Sequence, residues 1–575
     1  MGHLLKGMKK YRLQVMAVIL LTFIQVIAEL YLPTLMADIV NIGIKNQDTP
    51  YILSVGGSML IIAFIGTVAA VLKMYISAVA SSRFILDLRE KLFKKIQSFS
   101  PGEFDQIGTS SLITRTTNDI TQIQNVVIMG LRMMVRSPLM AIGGVIMAVS
   151  KNPGLSLILL VVVVLLGIII GIISSKTMPL FKVMQKKVDN LNRVLRENLT
   201  GVRVIRAFNR TDYENEKFDS ANKDLTETAL RVNQIMIAMM PGIMLLLNIT
   251  NIALIWFGAI RIDEGTFLVG DLMAFIQYAM QILFSVIMMT MVFVMIPRAS
   301  ASAERINEIL EMETAINDPE KPRNLGEEEG SLVFKDVCFR YEGAEEYALS
   351  GISFTSKAGE TTAIIGSTGS GKTTLVNLIP RFFDPCKGEI QINGVDIRQL
   401  PQEHIRRMIG LVPQKAILFT GTIKDNIVFG DDSIDMDRVR EVADISQASD
   451  FIENMEYSYD STVSQGGTNL SGGQKQRLSI ARALASKKQI YVFDDSFSAL
   501  DFRTDANLRK ALKRETQEAT VIIVSQRVNT IMNADRIIVL DKGEMVGLGS
   551  HKELMESNAV YRDIVFSQMS EEESS

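Results

Sequence analysis

Six apolar runs, each long enough to cross a bilayer as about 20 residues of helix, lie ahead of Pro297, at 13–35, 55–77, 126–149, 155–173, 234–256 and 272–296. After Pro297 no such run recurs. A mean hydropathy of +0.21 with 21% charged residues therefore averages two regimes, one solvated by lipid and one by water. The near balance of 60 Lys and Arg against 63 Asp and Glu offers no basic excess to a nucleic acid, and the hydropathy excludes bulk disorder. With only Cys338 and Cys386, and with His3, His404 and His551 scattered, the chain has no disulfide framework and no Cys- or His-rich metal site; its thiols suit a reducing cytosol. The first run follows Lys6, Lys9, Lys10 and Arg12, but it outlasts a signal-peptide core and ends without a small-residue cleavage pattern, so it reads as a retained helix.

Basic residues are held back on the cytoplasmic side of a membrane. The amino terminus and the segments 78–125 and 174–231 carry 22 Lys and Arg, whereas the alternate segments carry only Lys45, Lys151 and Arg261. Both termini are accordingly expected in the cytoplasm, with a bacterial cell (inner) membrane as the expected location. Phe84, Ile85, Leu88, Leu92, Phe93, Ile96 and Phe99 recur at helical spacing in the first long segment, as do Met184, Val188, Leu191, Leu195, Leu199 and Val202 in the second. They read as helices continuing out of the membrane, 20 residues reaching roughly 30 Å. The stretch 311–330, with Pro319, Pro322 and Glu327-Glu328-Glu329, reads as a linker joining a membrane domain at 1–310 to a soluble domain at 331–575.

The soluble part opens a site for phosphate. The β-branched run Thr362-Ala363-Ile364-Ile365 leads into Gly366-Ser367-Thr368-Gly369-Ser370-Gly371-Lys372-Thr373-Thr374, and a helical pattern follows. In a strand, G-x-x-x-x-G-K-T loop and helix, glycines let backbone N–H groups wrap phosphates, Lys372 neutralises the β/γ oxygens and the Thr373 hydroxyl ligates Mg²⁺. A second apolar strand, Ile490-Tyr491-Val492-Phe493, ends in Asp494 and Asp495, which sets a carboxylate beside that Mg²⁺ at the edge of a parallel sheet. The expected fold is thus an α-helical six-span transmembrane domain fused to an α/β P-loop ATPase.

Between these motifs lies Leu470-Ser471-Gly472-Gly473-Gln474, which alone would pass for a capped helix start. With it the chain resembles the ATP-binding-cassette (ABC) transporters, in their order throughout: Tyr341 for an adenine-stacking aromatic, the Walker A loop, Gln414 of the Q-loop, the signature pentad, Walker B Asp494, and the D-loop Ser498-Ala499-Leu500-Asp501. Six spans ahead of one cassette resemble the exporter half-transporters, so the likeness covers essentially the whole chain. It implies ATP and Mg²⁺ as cofactors, with the metal at Thr373, Gln414 and Asp494. It implies a dimer in which each signature caps the ATP on the other subunit's Walker A loop, and coupling helices at the loop tips, by position near 100–108 and 209–213.

Two departures qualify the likeness. The family's Walker B glutamate, which polarises the attacking water, is Asp495 here, one methylene or about 1.5 Å shorter in reach. Its switch histidine is Gln526, which can hydrogen-bond a γ-phosphate but cannot titrate. With Ser471-Gly472-Gly473-Gln474 intact, the likeness narrows to the degenerate-site subunits of heterodimeric multidrug ABC exporters, whose partner half-transporter has the competent glutamate and histidine. Val463-Ser464-Gln465-Gly466-Gly467 also departs from the family's V-G-E-x-G.

Inside the membrane, Glu29 admits two roles, binding a cationic substrate or pairing in helix packing near the outer interface. Arg132 and Arg136, at the cytoplasmic start of the third span, are expected to snorkel. Methionines crowding the last two spans, among them Met236, Met240, Met244, Met273, Met280, Met288 and Met291, are expected to face lipid or pack, with a permissive apolar pocket as the alternative. The leading reading is an exporter subunit moving small amphipathic, drug-like or lipid-like compounds. An ATP-gated channel or regulatory membrane subunit is the alternative, for which an added regulatory segment would be expected where the chain runs only to Glu571-Glu572-Glu573. An active homodimeric exporter is a third.

Overall fold

The computed structural model describes residues 4, 6–325, 330–431 and 433–572; His3, Glu327-Glu328-Glu329 of the expected linker and Glu573 lie outside these residues, as do the side chains at 174, 291, 293, 294 and 569–572. The chain divides into two compact units, Met1–Ile96 with Ser110–Met312, and Gln97–Thr109 with Glu313–Ser575.

Among the described residues, the first unit holds six helices long and apolar enough to span a membrane, Lys6–Ile44, Thr49–Gln97, Thr109–Lys151, Pro153–Ala207, Thr211–Asp263 and Val269–Glu311. Leu20, Leu60, Phe64, Leu157 and Trp256 are exposed on them, an apolar surface suited to lipid. Inward faces close on Phe275, Tyr278, Ile282 and Leu254. Thr49–Gln97 and Pro153–Ala207 are roughly 73 and 82 Å long, far more than a hydrocarbon core of about 30 Å requires, which is why the apolar spacing of the long segments runs on beyond the spans. The fourth helix starts where Asn152 accepts a bond from the Leu155 N–H at 3.0 Å and Pro153 fills the first turn.

The two expected tips differ. At the first, Ser100 caps a separate helix, Pro101–Ile107, through a capping box with Glu103. At the second, Asn209 adopts φ 53° and turns the chain straight into Thr211–Asp263, so no separate helix forms at 209–213.

Snorkelling does not describe Arg132 and Arg136. Arg136 donates to Glu29 at 2.7 Å and Arg132 to the Ser77 hydroxyl at 3.0 Å, because facing helices supply acceptors. Of the two roles open to Glu29, the structure shows the pair. The methionines divide: Met240 and Met244 are exposed, whereas Met280 and Met288 line a cavity.

The second unit is built on strands β1 Leu332–Phe339, β2 Leu349–Ser356, β3 Thr361–Gly366, β4 Lys387–Ile392, β5 Val395–Asp396, β6 Ile409–Val412, β7 Gly421–Thr422, β8 Thr462–Val463, β9 Ile490–Asp494, β10 Thr520–Val524, β11 Arg536–Asp541 and β12 Glu544–Gly549. Ten of them form a mixed sheet in the order β5-β4-β1-β2-β12-β11-β3-β10-β9-β6, and β7 pairs with β8. From β11 to β6 the strands are parallel. Ala363, Ile365, Tyr491, Phe493, Val521 and Ile523 pack on one face, and Ile364, Ile490, Val492, Ile522 and Val524 on the other. Burial on both faces explains the unbroken apolar runs of the sequence. Val524 is in register with both Ile364 and Asp494, so the ends of β3, β10 and β9 stand side by side.

Helix Pro101–Ile107 belongs to this unit. The Glu103 carboxylate accepts bonds from the N–H groups of Ala315 and Ser100, each at 2.7 Å. Burial opposes its ionisation, but these donors prevail and hold its pKa below the usual carboxylate range.

Candidate functional site

The loop after β3 is shaped by lack of room. A Cβ on Gly366 would lie 2.1 Å from the Leu540 carbonyl oxygen, and Gly371, at φ 96°, would bring one to 2.8 Å from that of Ala348. Only glycine fits either place, and the backbone itself becomes the binding surface. Ser367, Thr368 and Gly369 make the bend, with Gly369 at φ 83°. The Lys372 ammonium donates to the carbonyls of Gly366 at 2.9 Å and Ser367 at 2.7 Å, with the Ser370 hydroxyl at 3.4 Å. Its pKa is lowered, by burial first, while Asp495 and Asp494 oppose the shift.

The strand order brings the acidic pair to this lysine. Burial raises the pKa of Asp494 against a hydrogen bond from the Thr373 hydroxyl; Asp495 adds to the rise and Lys372 opposes it. Asp495 takes φ 46°, and its N–H donates to the Val524 carbonyl at 3.0 Å. Burial raises the Asp495 pKa too, against a hydrogen bond with Gln414 and the charges of Lys372 and Arg527. From the end of β10, the Gln526 amide reaches the Asp495 carboxylate at 3.5 Å, a long contact. Lys372, Thr373, Asp494, Asp495, Gln414 and Gln526 thus form one cluster at four adjacent strand ends, those of β3, β10, β9 and β6. Thr373, Asp494 and Gln414 offer oxygen donors of the kind Mg²⁺ takes, and the ammonium and loop N–H groups suit a polyphosphate.

Tyr341 joins from beside the loop. Its hydroxyl pairs with that of Thr374 at 2.9 Å, and its ring meets Phe339 and Phe383 edge-on with centroids 4.9 and 5.6 Å away. It is 41% exposed, leaving ring surface on which a base could stack.

The signature pentad is built separately. Ser471 caps the helix Gly472–Ala485: its hydroxyl accepts from the Gln474 N–H at 3.3 Å, and the Gln474 side chain accepts from the Ser471 N–H at 2.8 Å. A Cβ on Gly473 would lie 3.2 Å from the Ala499 carbonyl oxygen of the D-loop, whereas Gly472 has open space. These contacts run within the pentad's own turn and to the D-loop, and the bonds described for Ser471 and Gln474 do not reach the Walker A loop. After Val463 ends β8, Ser464-Gln465-Gly466-Gly467 forms a tight turn, where Lys475 donates to the Gly466 carbonyl at 3.0 Å.

Two residues escape the sequence reading. Arg527 bears on Asp495 and donates to the Ser498 carbonyl at 3.1 Å, and its place directly after Gln526 was the available signal. Lys73 lies within the second apolar run, a cation where lipid-facing sequence has none, and it is buried.

The model of the ABC transporter transmembrane region matches residues 15–286, and that of the ABC transporter matches residues 349–498. An uncharacterised ABC transporter ATP-binding protein of Mycobacterium tuberculosis is 40% identical over 97% of both chains. Another, YfiB of Bacillus subtilis, is 38% identical over 100% of this chain and 99% of its own. An ATP-dependent lipid A-core flippase of Syntrophus aciditrophicus is 33% identical over 83% of this chain and 79% of its own. Among solved structures, a bacterial Atm1-family ABC exporter with ATP bound superposes with a TM-score of 0.81 at 24% identity, covering 97% of this chain and 99% of that one; the likeness is one of fold.

Proposed function

The chain belongs to the ABC transporter family, an exporter half-transporter and integral membrane protein whose ATPase activity is coupled to transport, and from that premise we propose that it is the slow-site subunit of a heterodimer. Asp495 carries this reading. The carboxylate that would activate water is one methylene short, and although burial raises its pKa, the amides of Gln414 and Gln526 both engage the oxygens that would hold that water. No histidine stands at the switch position. Lys372 and the loop N–H groups hold the phosphates of ATP, Tyr341 stacks on its base, and Thr373, Asp494 and Gln414 hold Mg²⁺. The pentad, with its cap formed, completes the partner's competent site. In the two-chain complex, Asp495→Ala should leave steady-state ATPase within a few-fold of the parent; loss of turnover would show that the two sites are equivalent.

The cargo in this reading is a small amphipathic or lipid-like compound, supported by the membrane unit's apolar cavities and by the lipid flippase among the relatives. Both termini and the ATPase unit face the cytoplasm of a bacterial cell membrane, supported by the 22 against 3 division of basic residues. Cysteines placed at Asn46 and Ser110 should react with an impermeant thiol reagent from opposite sides, Asn46 from outside; the reverse pattern overturns the orientation.

A further inference from the structure

Within the membrane unit, the side chains of Glu29, Arg136, Gln277, Gln281, Met280 and Phe284 lie on one cavity of about 540 Å³, a size that takes a drug-sized molecule. A relay runs from its wall, at Glu29 and Arg136, into the helices behind. Lys73 donates to Gln25 at 2.6 Å, Gln25 donates to the Glu29 carboxylate at 2.7 Å, and Arg136 donates to the same carboxylate at 2.7 Å. Arg132, four residues before Arg136, donates to the Ser77 hydroxyl at 3.0 Å and the Met74 carbonyl at 3.2 Å. The charged groups around Lys73 are Arg136, Glu29 and Arg132. Three cations therefore share one carboxylate, and Lys73 is 5% exposed with a neutral amide as its partner. Such an excess is costly in a helix bundle and marks a functional site by default.

Further observations turn that excess towards the cavity. The Nε of Arg136 and the Oε1 of Gln281, both on cavity-lining residues, are buried without a hydrogen-bond partner. The Arg136 side chain is nevertheless 40% exposed, so it has surface to offer a ligand beyond its bond to Glu29. Just before it, Gly130–Met134 forms a π turn, a local rewinding found often at functional sites. Depth agrees as well: Arg136 lies 15 residues, or about 22 Å of helix, from Lys151, which pairs with Asp271 at 2.7 Å near the far end of the bundle.

We propose that this cavity binds an amphipathic anion, its phosphate or carboxylate head against Arg136 within the field of Lys73 and Arg132, and its apolar body along Met133, Met140, Met280, Phe284 and Met288. Glu29 holds Arg136 in place and is not a receptor for cationic cargo. The proposal rests on the export reading and names its substrate class.

The test is equilibrium binding of radiolabelled dodecyl phosphate to the assembled transporter in phosphatidylcholine nanodiscs without ATP, with empty nanodiscs subtracted. Saturable binding is expected, tightened by Glu29→Gln, which removes the competing carboxylate, and weakened at least tenfold by Glu29→Gln combined with Arg136→Gln, which removes the cation without orphaning the acid. Unchanged ATP binding certifies the fold of each variant, and Lys73→Gln, which touches no ligand, should weaken binding a few-fold through the field alone. Competition by phosphatidic acid assigns the head to a membrane lipid, and its failure to compete assigns it to a soluble single-chain amphipath. Equal binding of dodecyltrimethylammonium, equal competition by inorganic phosphate, or indifference to the double variant overturns the proposal. Because no ATP is turned over, failure here leaves the unequal-site reading standing, and failure of that reading leaves this result intact.

Discussion

In the proposed function two surfaces of the nucleotide unit take phosphate, and they are built on opposite terms. At the ends of β3, β10 and β9, chemistry depends on side-chain reach, so Asp495 and Gln526 each change what the cluster can do. At the start of the helix Gly472–Ala485, the surface is a hydroxyl and backbone N–H groups held by a capping box, and the pentad matches the family pattern throughout. On that proposal the chain weakens its own site and keeps whole the surface it lends to another. Breaking the lent surface should have the largest effect. Ser471→Arg puts a long cation where a hydroxyl would close on the partner's γ-phosphate, and loss of one such donor typically costs about 2.7–4 kcal/mol, or roughly 10² to 10³ in rate. Steady-state ATPase of the two-chain complex should fall by that much, although this chain's Walker loops are untouched. Loss of the cap itself is worth only about 1 kcal/mol of stability, so an unchanged fold with a small rate effect would break the comparison.

A smaller effect is expected from removing this chain's hold on its own nucleotide. Lys372→Ala deletes the ammonium that bonds the loop carbonyls of Gly366 and Ser367 and sits beside Asp494 and Asp495. A hydrogen bond to a charged group is worth about 1.5–3 kcal/mol, so ATP affinity here should drop roughly 10- to 100-fold. Nucleotide binding measured with the partner's loop disabled isolates the effect. Unchanged affinity would mean that Lys372 does not hold phosphate.

What was legible in the sequence divides along the same line as the chemistry. The spans, the P-loop and the pentad are local patterns, and each can be read within about 20 residues of chain. The membrane relay is not local: Lys73 meets Gln25 across 48 residues and Arg136 meets Glu29 across 107, so Glu29 alone suggested either a cation site or a pair. The two loop tips looked alike by length, yet Ser100-Pro101 starts a helix while Asn209 turns the chain at once. One bond that attaches Pro101–Ile107 to the nucleotide unit runs from the Ala315 N–H to the Glu103 carboxylate, and no periodicity announces it.

The smallest effect tests whether reach alone separates this site from a competent one. Asp495→Glu restores the missing methylene, about 1.5 Å, in the direction of an attacking water. Three features of the site resist the gain. Asp495 sits at φ 46°, in the left-handed region, which aspartate tolerates better than a longer side chain because its short carboxylate can bond locally. Gln414 and Gln526 remain to engage whatever carboxylate stands there. Gln526 also cannot take up or release a proton as turnover proceeds. Asp495→Glu should therefore change ATPase of the complex by less than about threefold, since a tenfold change would require about 1.4 kcal/mol that none of these features supplies. Adding Gln526→His to the same variant should raise turnover more than either change alone, because the two residues touch. A tenfold rise from Asp495→Glu by itself would mean that one methylene sets the rate, and that the two sites differ by reach rather than by role.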